Sequence, residues 1–309
     1  MSEPRQIGMI IHEMISEGSL VIKSLSQPET PKRIIRVFPR RTKATPTDAD
    51  VRIRTFPGMF DEADEVHIFV AFTYDMQWAE FAAKQWSKVA PVKIGGPAYN
   101  EKGGDFVPGM YMKRGYVITS RGCPNSCWFC SVPKREGNEL RELPITDGWI
   151  VTDDNLLACS EKHISGVFEM LKRQPERPQF VGGLEARLLT AEMAHRLKIL
   201  QPKSMYFAYD EKDDYEPLVA AGRHLRNAGF TGKSHELLCY VLIGYPKDTF
   251  ENAEKRLTDT IKAGFMPMAM LYKDKSGKNP YEWKRFHEQW ADKGIVGAKM
   301  KEFKSIEKV

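Results

Sequence analysis

The residues with the most chemical potential in this chain are three cysteines within eight positions, Cys123, Cys127 and Cys130. They stand in the segment ITSRGCPNSCWFCSVPKREG, Ile118 to Gly137, at Cys-x3-Cys-x2-Cys spacing. The chain has five cysteines, with Cys159 and Cys239 apart from the cluster. An odd, clustered set makes a poor disulfide framework and points to a metal in a reducing compartment. Thiolates have two obvious uses here. A structural zinc site wants four protein ligands. Cys159, Cys239, His163, His195 or His235 would then have to fold back to complete it. A [4Fe–4S] cluster takes three and leaves one iron open for an exogenous ligand. The spacing favours the open cluster, with Cys159 and Cys239 as buried apolar thiols.

The elements around the cluster follow from pattern. After a polar, Gly-rich stretch at Asn100 to Gly109, short apolar runs alternate with helical periodicity. Strands are expected at Tyr116–Thr119, Trp149–Thr152, Gln179–Val181, Met205–Ala208, Leu238–Ile243 and Met266–Leu271. Helices are expected at Glu161–Arg173, Thr190–Leu200, Tyr215–Ala228 and Phe250–Ala263. Six βα units in about 160 residues suit a βαβ crossover each. A closed eight-unit barrel takes ~250 residues, so the length fits an α/β fold with an open, partial six-stranded (βα)6 TIM-like barrel. The cysteines follow its first strand, and active sites of such folds sit at strand C-terminal ends.

The N-terminal region reads as a helix at roughly Ile10 to Leu25 and a strand at Ile34–Phe38. A basic loop, PRRTKATPTD, spans Pro39 to Asp48. A βαβ unit follows: Val66–Phe72, a helix carrying Trp78, Phe81, Ala82, Trp86 and Val89 on one face, and Pro91–Ile94. Thr73 or Asp75 is placed to cap that helix. The expected division is a reduced Rossmann-like domain over 1–109, the partial barrel over 110–275 and a basic helical extension over 276–309. In that extension Trp283, Phe286, Trp290, Ile295 and Phe303 lie among lysines, suiting a helix that closes the barrel mouth or packs on the N-terminal domain.

Composition excludes some classes. The 309 residues are 42% hydrophobic and 28% charged, ordinary for a soluble domain. No 18-residue apolar run exists, so no membrane partner is expected. The N-terminus reads as neither signal nor transit peptide, which implies a cytoplasmic protein. The net charge is +5, with +4 on residues 1–60 and +4 on 273–309. Basic ends suit a nucleic-acid partner, although a solvated surface explains them too. A zinc-stabilised nucleic-acid-binding module is therefore the alternative to an iron–sulfur enzyme.

The cysteine loop, with Phe129 just before the last cysteine, resembles the signature of the radical S-adenosylmethionine (radical SAM) superfamily. The resemblance covers roughly Tyr111 to Tyr272. It implies an enzyme with one [4Fe–4S] cluster on Cys123, Cys127 and Cys130. The open iron would bind S-adenosylmethionine (SAM), and an electron from a flavodoxin or ferredoxin would cleave it to a 5′-deoxyadenosyl radical. WIVTDDN resembles a second strand ending in the Asp-Asp-Asn of cobalamin-type members, with Asp153 and Asp154 near the SAM amino group. A helix N-cap before Leu156-Leu157 competes for them. Gly182-Gly183-Leu184-Glu185 resembles the family's Gly-Gly-Glu motif, one strand later than usual. Glu185 and Arg187 would then face the barrel mouth, Arg187 toward an anion or in a structural salt bridge. MYFAYDE resembles the segment whose acid, here Asp210, approaches the SAM ribose. YVLIGYPKDT resembles the segment near adenine, through Ile243 and Gly244. The N-terminal domain resembles a cobalamin-binding domain without the Asp-x-His-x-x-Gly signature, so no cobalamin is expected. Residues 1–122 hold no cysteine, which excludes a second N-terminal cluster.

Overall fold

The computed structural model describes residues 32–231, 236–273 and 280–306. The helix expected near Ile10 and the side chains of His235 and Phe303 lie outside the described residues.

Two hydrophobic cores form, each under its own parallel sheet. The first sheet has four strands: β1 (Ile34–Phe38), β2 (Val51–Ile53), β3 (Glu65–Phe69) and β4 (Val92–Gly95). Their order is β2-β1-β3-β4, and every pairing is parallel. Ile35, Val37, Val66 and Ile68 are buried, as expected of strands covered on a face by a crossover helix. That helix is α1 (Met76–Trp86), with Ala79, Ala82 and Trp86 in the core. Asp75 occupies the N-cap position but does not cap. Its carboxylate instead accepts from Arg40, with Nη2–Oδ1 at 2.6 Å.

The second half opens with β5 (Tyr116–Val117), followed by a hairpin of β6 (Ser120–Arg121) and β7 (Arg141–Glu142) with α2 (Val132–Arg135) between them. Then come β8 (Ile150–Val151), α3 (Glu161–Lys172), β9 (Gln179–Phe180), α4 (Ala191–Leu200), β10 (Ser204–Ala208), α5 (Tyr215–Asn227), β11 (Leu237–Ile243), α6 (Phe250–Ala263) and β12 (Met266–Leu271). The six long-range strands pair in chain order, β5-β8-β9-β10-β11-β12, all parallel. Among the described residues β5 and β12 do not pair, so the sheet is open. All six anticipated strands and four anticipated helices are present, the first three strands shorter than the apolar runs that announced them. Ser160, Thr190 and Thr249 cap α3, α4 and α6 by accepting from backbone N–H groups three residues on. Three of the strands thereby pass to their helices through a capped turn, leaving the strand C-terminal ends on one edge of the sheet.

The C-terminal helices α7 (Tyr281–Ala291) and α8 (Lys293–Ile306) pack on β12. Trp290 is buried in the main core, and Trp283 and Phe286 pack on Phe250 of α6. Among the described residues the extension covers the open edge strand β12. A bare β12 edge would present unpaired backbone groups to other chains, which explains where the aromatic residues went.

Gly182 makes one close approach that the site needs. A Cβ there would lie 2.1 Å from the Asp153 carbonyl oxygen. Only glycine lets the end of β9 reach the end of β8 this closely.

Candidate functional site

The cysteines hang from the turn after β5. The β6–β7 pair is antiparallel, matching Ser120 to Glu142 and Arg121 to Arg141. Gly122, at φ +85°, takes the chain out of this hairpin, where a Cβ would meet the Glu139 carbonyl oxygen at 2.2 Å. The three thiols are half-buried. Cys130 N–H donates to the Cys127 carbonyl at 3.0 Å, which winds the Cys127–Cys130 segment into a turn. Two N–H groups point at sulfur: Val132 N at 3.4 Å from Cys130 Sγ and Asn155 Nδ2 at 3.4 Å from Cys123 Sγ. Burial pushes the Cys127 thiol up to about 11, with Cys130 and Cys123 adding to it. The same burial raises Cys130. Among the described residues, no group of three His, Cys, Asp or Glu side chains converges as a ligand set for one ion. Cys159 and Cys239 are buried in the core, and burial raises both thiols.

A buried carboxylate ties the loop together. The Glu136 side chain is fully buried. It accepts from Arg141 at 2.6 Å and Arg135 at 3.0 Å, with Arg121 at 3.7 Å. The Gly103 N–H also donates to it, at 3.2 Å. Arg135 reaches on to Asp154 at 3.3 Å. Three guanidiniums and two carboxylates thus brace both flanks of the cysteines. None of the three arginines, nor Glu136, was singled out from sequence. Three of these residues, Arg121, Arg135 and Glu136, lie in the cysteine segment itself, where their mixed charge was the available signal.

The strand ends bring the other expected residues to this edge. Asp153, 2% exposed, accepts from Thr119 N–H and O–H at 2.6 Å each and from Ser120 O–H at 2.8 Å. It holds the turn that leads into the cysteines, and burial raises its carboxyl. Asp154 accepts from Gly122 N–H at 2.9 Å and faces the cavity described below. Asn155 does not cap the following turn. Its Nδ2 bridges Cys123 and Glu185, the latter at 2.6 Å, while its Oδ1 is buried without a partner. Glu185 is thus one side chain away from the first cysteine. Arg187 is drawn off by Asp214 at 2.9 Å and Asp213 at 3.0 Å, so the salt-bridge alternative is the geometry present. Ile243 is fully buried at the end of β11, and the Gly244 N–H donates to Asp248. Phe129 lies edge-on to Trp128, 5.3 Å between centroids.

Asp210, beyond the end of β10, accepts from Leu242 N–H at 2.8 Å. Burial pushes its carboxyl up to about 6. The raised value means that ionising Asp210 within the fold costs stability, which falls as pH rises from about 4 to about 6. Asp210→Asn keeps an acceptor for Leu242 and removes that cost. Urea unfolding should find it more stable than the parent by about 2–3 kcal/mol at pH 7.5 and equal at pH 4.

A cavity of about 700 Å³ opens between the two halves. Phe69, Gly95 and Gly96 line it from the C-terminal edge of the first sheet, and Arg121, Thr152 and Asp154 from the cysteine side. On its wall Tyr111 donates to or accepts from His67 Nδ1 at 2.8 Å, and His67 Nε2 meets Glu65 at 3.1 Å. The volume is that of a small-molecule site.

No protein-family model and no curated protein sequence matches the chain. Among solved structures it matches the radical S-adenosylmethionine methyltransferase TsrM from Kitasatospora setae, with cobalamin and a [4Fe–4S] cluster bound, at a TM-score of 0.56 and 12% identity over 77% of this chain and 74% of that one. The chain shares the fold of a radical SAM enzyme. At this identity the likeness speaks for the fold alone, and the chemistry has to come from the residues. Among the described residues no helix is long and apolar enough to cross a membrane.

Proposed function

We propose that the protein is a radical SAM iron–sulfur enzyme whose open sheet is a partial (βα)6 barrel, with Cys123, Cys127 and Cys130 holding one [4Fe–4S] cluster. The observation that carries this reading is the placement of three half-buried thiols within eight residues on the loop after the first strand of an open parallel sheet, in a fold shared with such an enzyme. The donor set suits the group. A zinc ion draws four ligands to one point, whereas a cube takes each thiolate on a different iron. The two N–H···S contacts are of the kind that tune a cluster's potential.

When bound, the cluster and SAM supply a 5′-deoxyadenosyl radical on receiving an electron from a flavodoxin- or ferredoxin-like donor. The chain's own residues position and shield. Asn155, with its unpartnered Oδ1 and its bond to Glu185, offers an acceptor pair for the SAM ammonium next to Cys123, and Asp154 adds a second acid. Asp210 is the ribose acceptor, and the backbone at Ile243 and Gly244 backs the adenine. Phe129, packed edge-on against Trp128, shields the loop beside the last cysteine. The cavity is the space for the reacting group of a substrate or for a second cofactor. The neighbour's cobalamin makes that cofactor the one to assay there.

Anaerobic reconstitution tests the reading. About four irons per chain with broad visible absorption, and 5′-deoxyadenosine on adding dithionite and SAM, support it. A colourless chain holding one zinc supports the zinc-stabilised module instead, and methyl transfer from SAM without 5′-deoxyadenosine removes the radical mechanism.

A further inference from the structure

Exposed and half-buried aromatic rings form a row that leads to the cysteine loop. Phe72 and Tyr74 are 38% and 53% exposed, yet their rings stack at 5.3 Å with planes 7° apart. The Arg40 guanidinium carbon lies over Tyr74 at 4.6 Å, anchored by the buried Asp75. The Lys273 Nζ, just past β12, lies 5.6 Å from the same ring. Its neighbour Tyr272 is 5.8 Å from Trp128. Trp128 sits between Cys127 and Phe129, is 50% exposed, and also meets Tyr245 at 5.6 Å. The loop that carries Arg40 adds exposed Arg41 and Lys43.

We propose that this row is the track on which a single-stranded nucleic acid lies to bring one base to the cysteine loop. The inference rests on the radical SAM reading for what happens at the loop, and names the substrate class of that site. Isolated exposed aromatics need no explanation, but a stacked pair under an arginine, continued by a lysine and two further rings, has the chemistry of a base-stacking platform. Flat bases stack on rings whatever their sequence, while the phosphates require cations beside them. Arg41, Lys43 and Lys273 supply these, while Arg40 is held by Asp75 over the ring. Duplex DNA keeps its bases stacked internally and cannot use the rings.

Anisotropy titrations with a labelled 12-residue oligouridylate, the matching oligodeoxythymidylate and a 12-base-pair duplex test this on the full chain. Both single strands should bind at low salt at least tenfold more tightly than the duplex, with affinity falling as salt rises. A preference between RNA and DNA then identifies the natural strand. Tyr74→Ala should weaken binding about 5- to 150-fold, and Tyr74→Phe should restore it. Lys273→Ala should lower the log–log salt slope by about 0.7. Binding should quench tryptophan fluorescence in a manner lost in Trp128→Phe. Equal binding of duplex and single strand, an unchanged Tyr74→Ala, or tighter binding of polyglutamate overturns the proposal. Dithionite-driven SAM cleavage, measured in parallel, should be intact in Tyr74→Ala. Cleavage without strand binding ends this inference alone, and strand binding without cleavage ends the enzyme reading while leaving the track in place.

Discussion

Each of the substitutions Cys123→Ala, Cys127→Ala and Cys130→Ala is expected to reduce SAM cleavage at least ~10³-fold, to the level of the chain without iron. Three ligands on one loop act as a unit, so any pair should be about as inactive as none, and the triple variant no worse than a single one. The measurement is 5′-deoxyadenosine formed per chain after anaerobic reconstitution, read beside the iron content. The folded state should survive these changes, because the thiols are half-buried and belong to neither hydrophobic core. Cys159→Ala and Cys239→Ala are the controls: they should load iron normally and differ in stability alone. A cysteine-loop variant that retained full iron and activity would remove the cluster assignment.

Glu136→Ala is expected to cost about 3 kcal/mol of folding free energy. The fully buried carboxylate neutralises Arg135 and Arg141 and borders Arg121, whose side chains are only 16%, 30% and 17% exposed. Removing one partner of a buried ion pair leaves uncompensated charge and costs about 3–5 kcal/mol. Partial access of the arginines to water places the value at the lower end. Urea denaturation checks it: the midpoint should fall with the slope unchanged. Glu136→Gln keeps the volume and one acceptor and should lose less. Iron loading should also weaken in Glu136→Ala, since Arg135 would no longer be held between Glu136 and Asp154.

The strands of the large sheet were legible because buried parallel strands are continuous apolar runs between turn residues. LLCYVLI and MPMAML could hardly be anything else. The β2 strand and the β6–β7 hairpin were not legible. Val51–Ile53 is three residues long, and Ser120–Arg121 pairs with Arg141–Glu142, so neither carries a hydrophobic period. The cysteines declared themselves by spacing, but their supports did not. Arg141 on β7 turns back to Glu136 at the end of α2, and Lys273 meets Tyr74 across nearly two hundred residues. Such contacts are properties of the folded chain, not of any local pattern. The Asp-Asp-Asn run was visible as a motif, while the division of labour within it was not. Asp153 turns inward to the turn before the cysteines, Asp154 turns to the cavity, and Asn155 turns to Cys123 and Glu185.

The strand that leads into the cysteine hairpin is the least secured in its sheet. β5 is two residues long, lies at the edge, and pairs with β8 alone. Local opening draws on the segments with the fewest partners, so the apo chain should exchange the amide hydrogens of Tyr116 to Thr119 well before those of β10 and β11. A ligand that binds only the closed form removes that freedom. Loading the cluster would therefore act as a latch on the sheet's weak margin. Amide exchange would slow there first, giving a report of occupancy that needs no knowledge of the substrate.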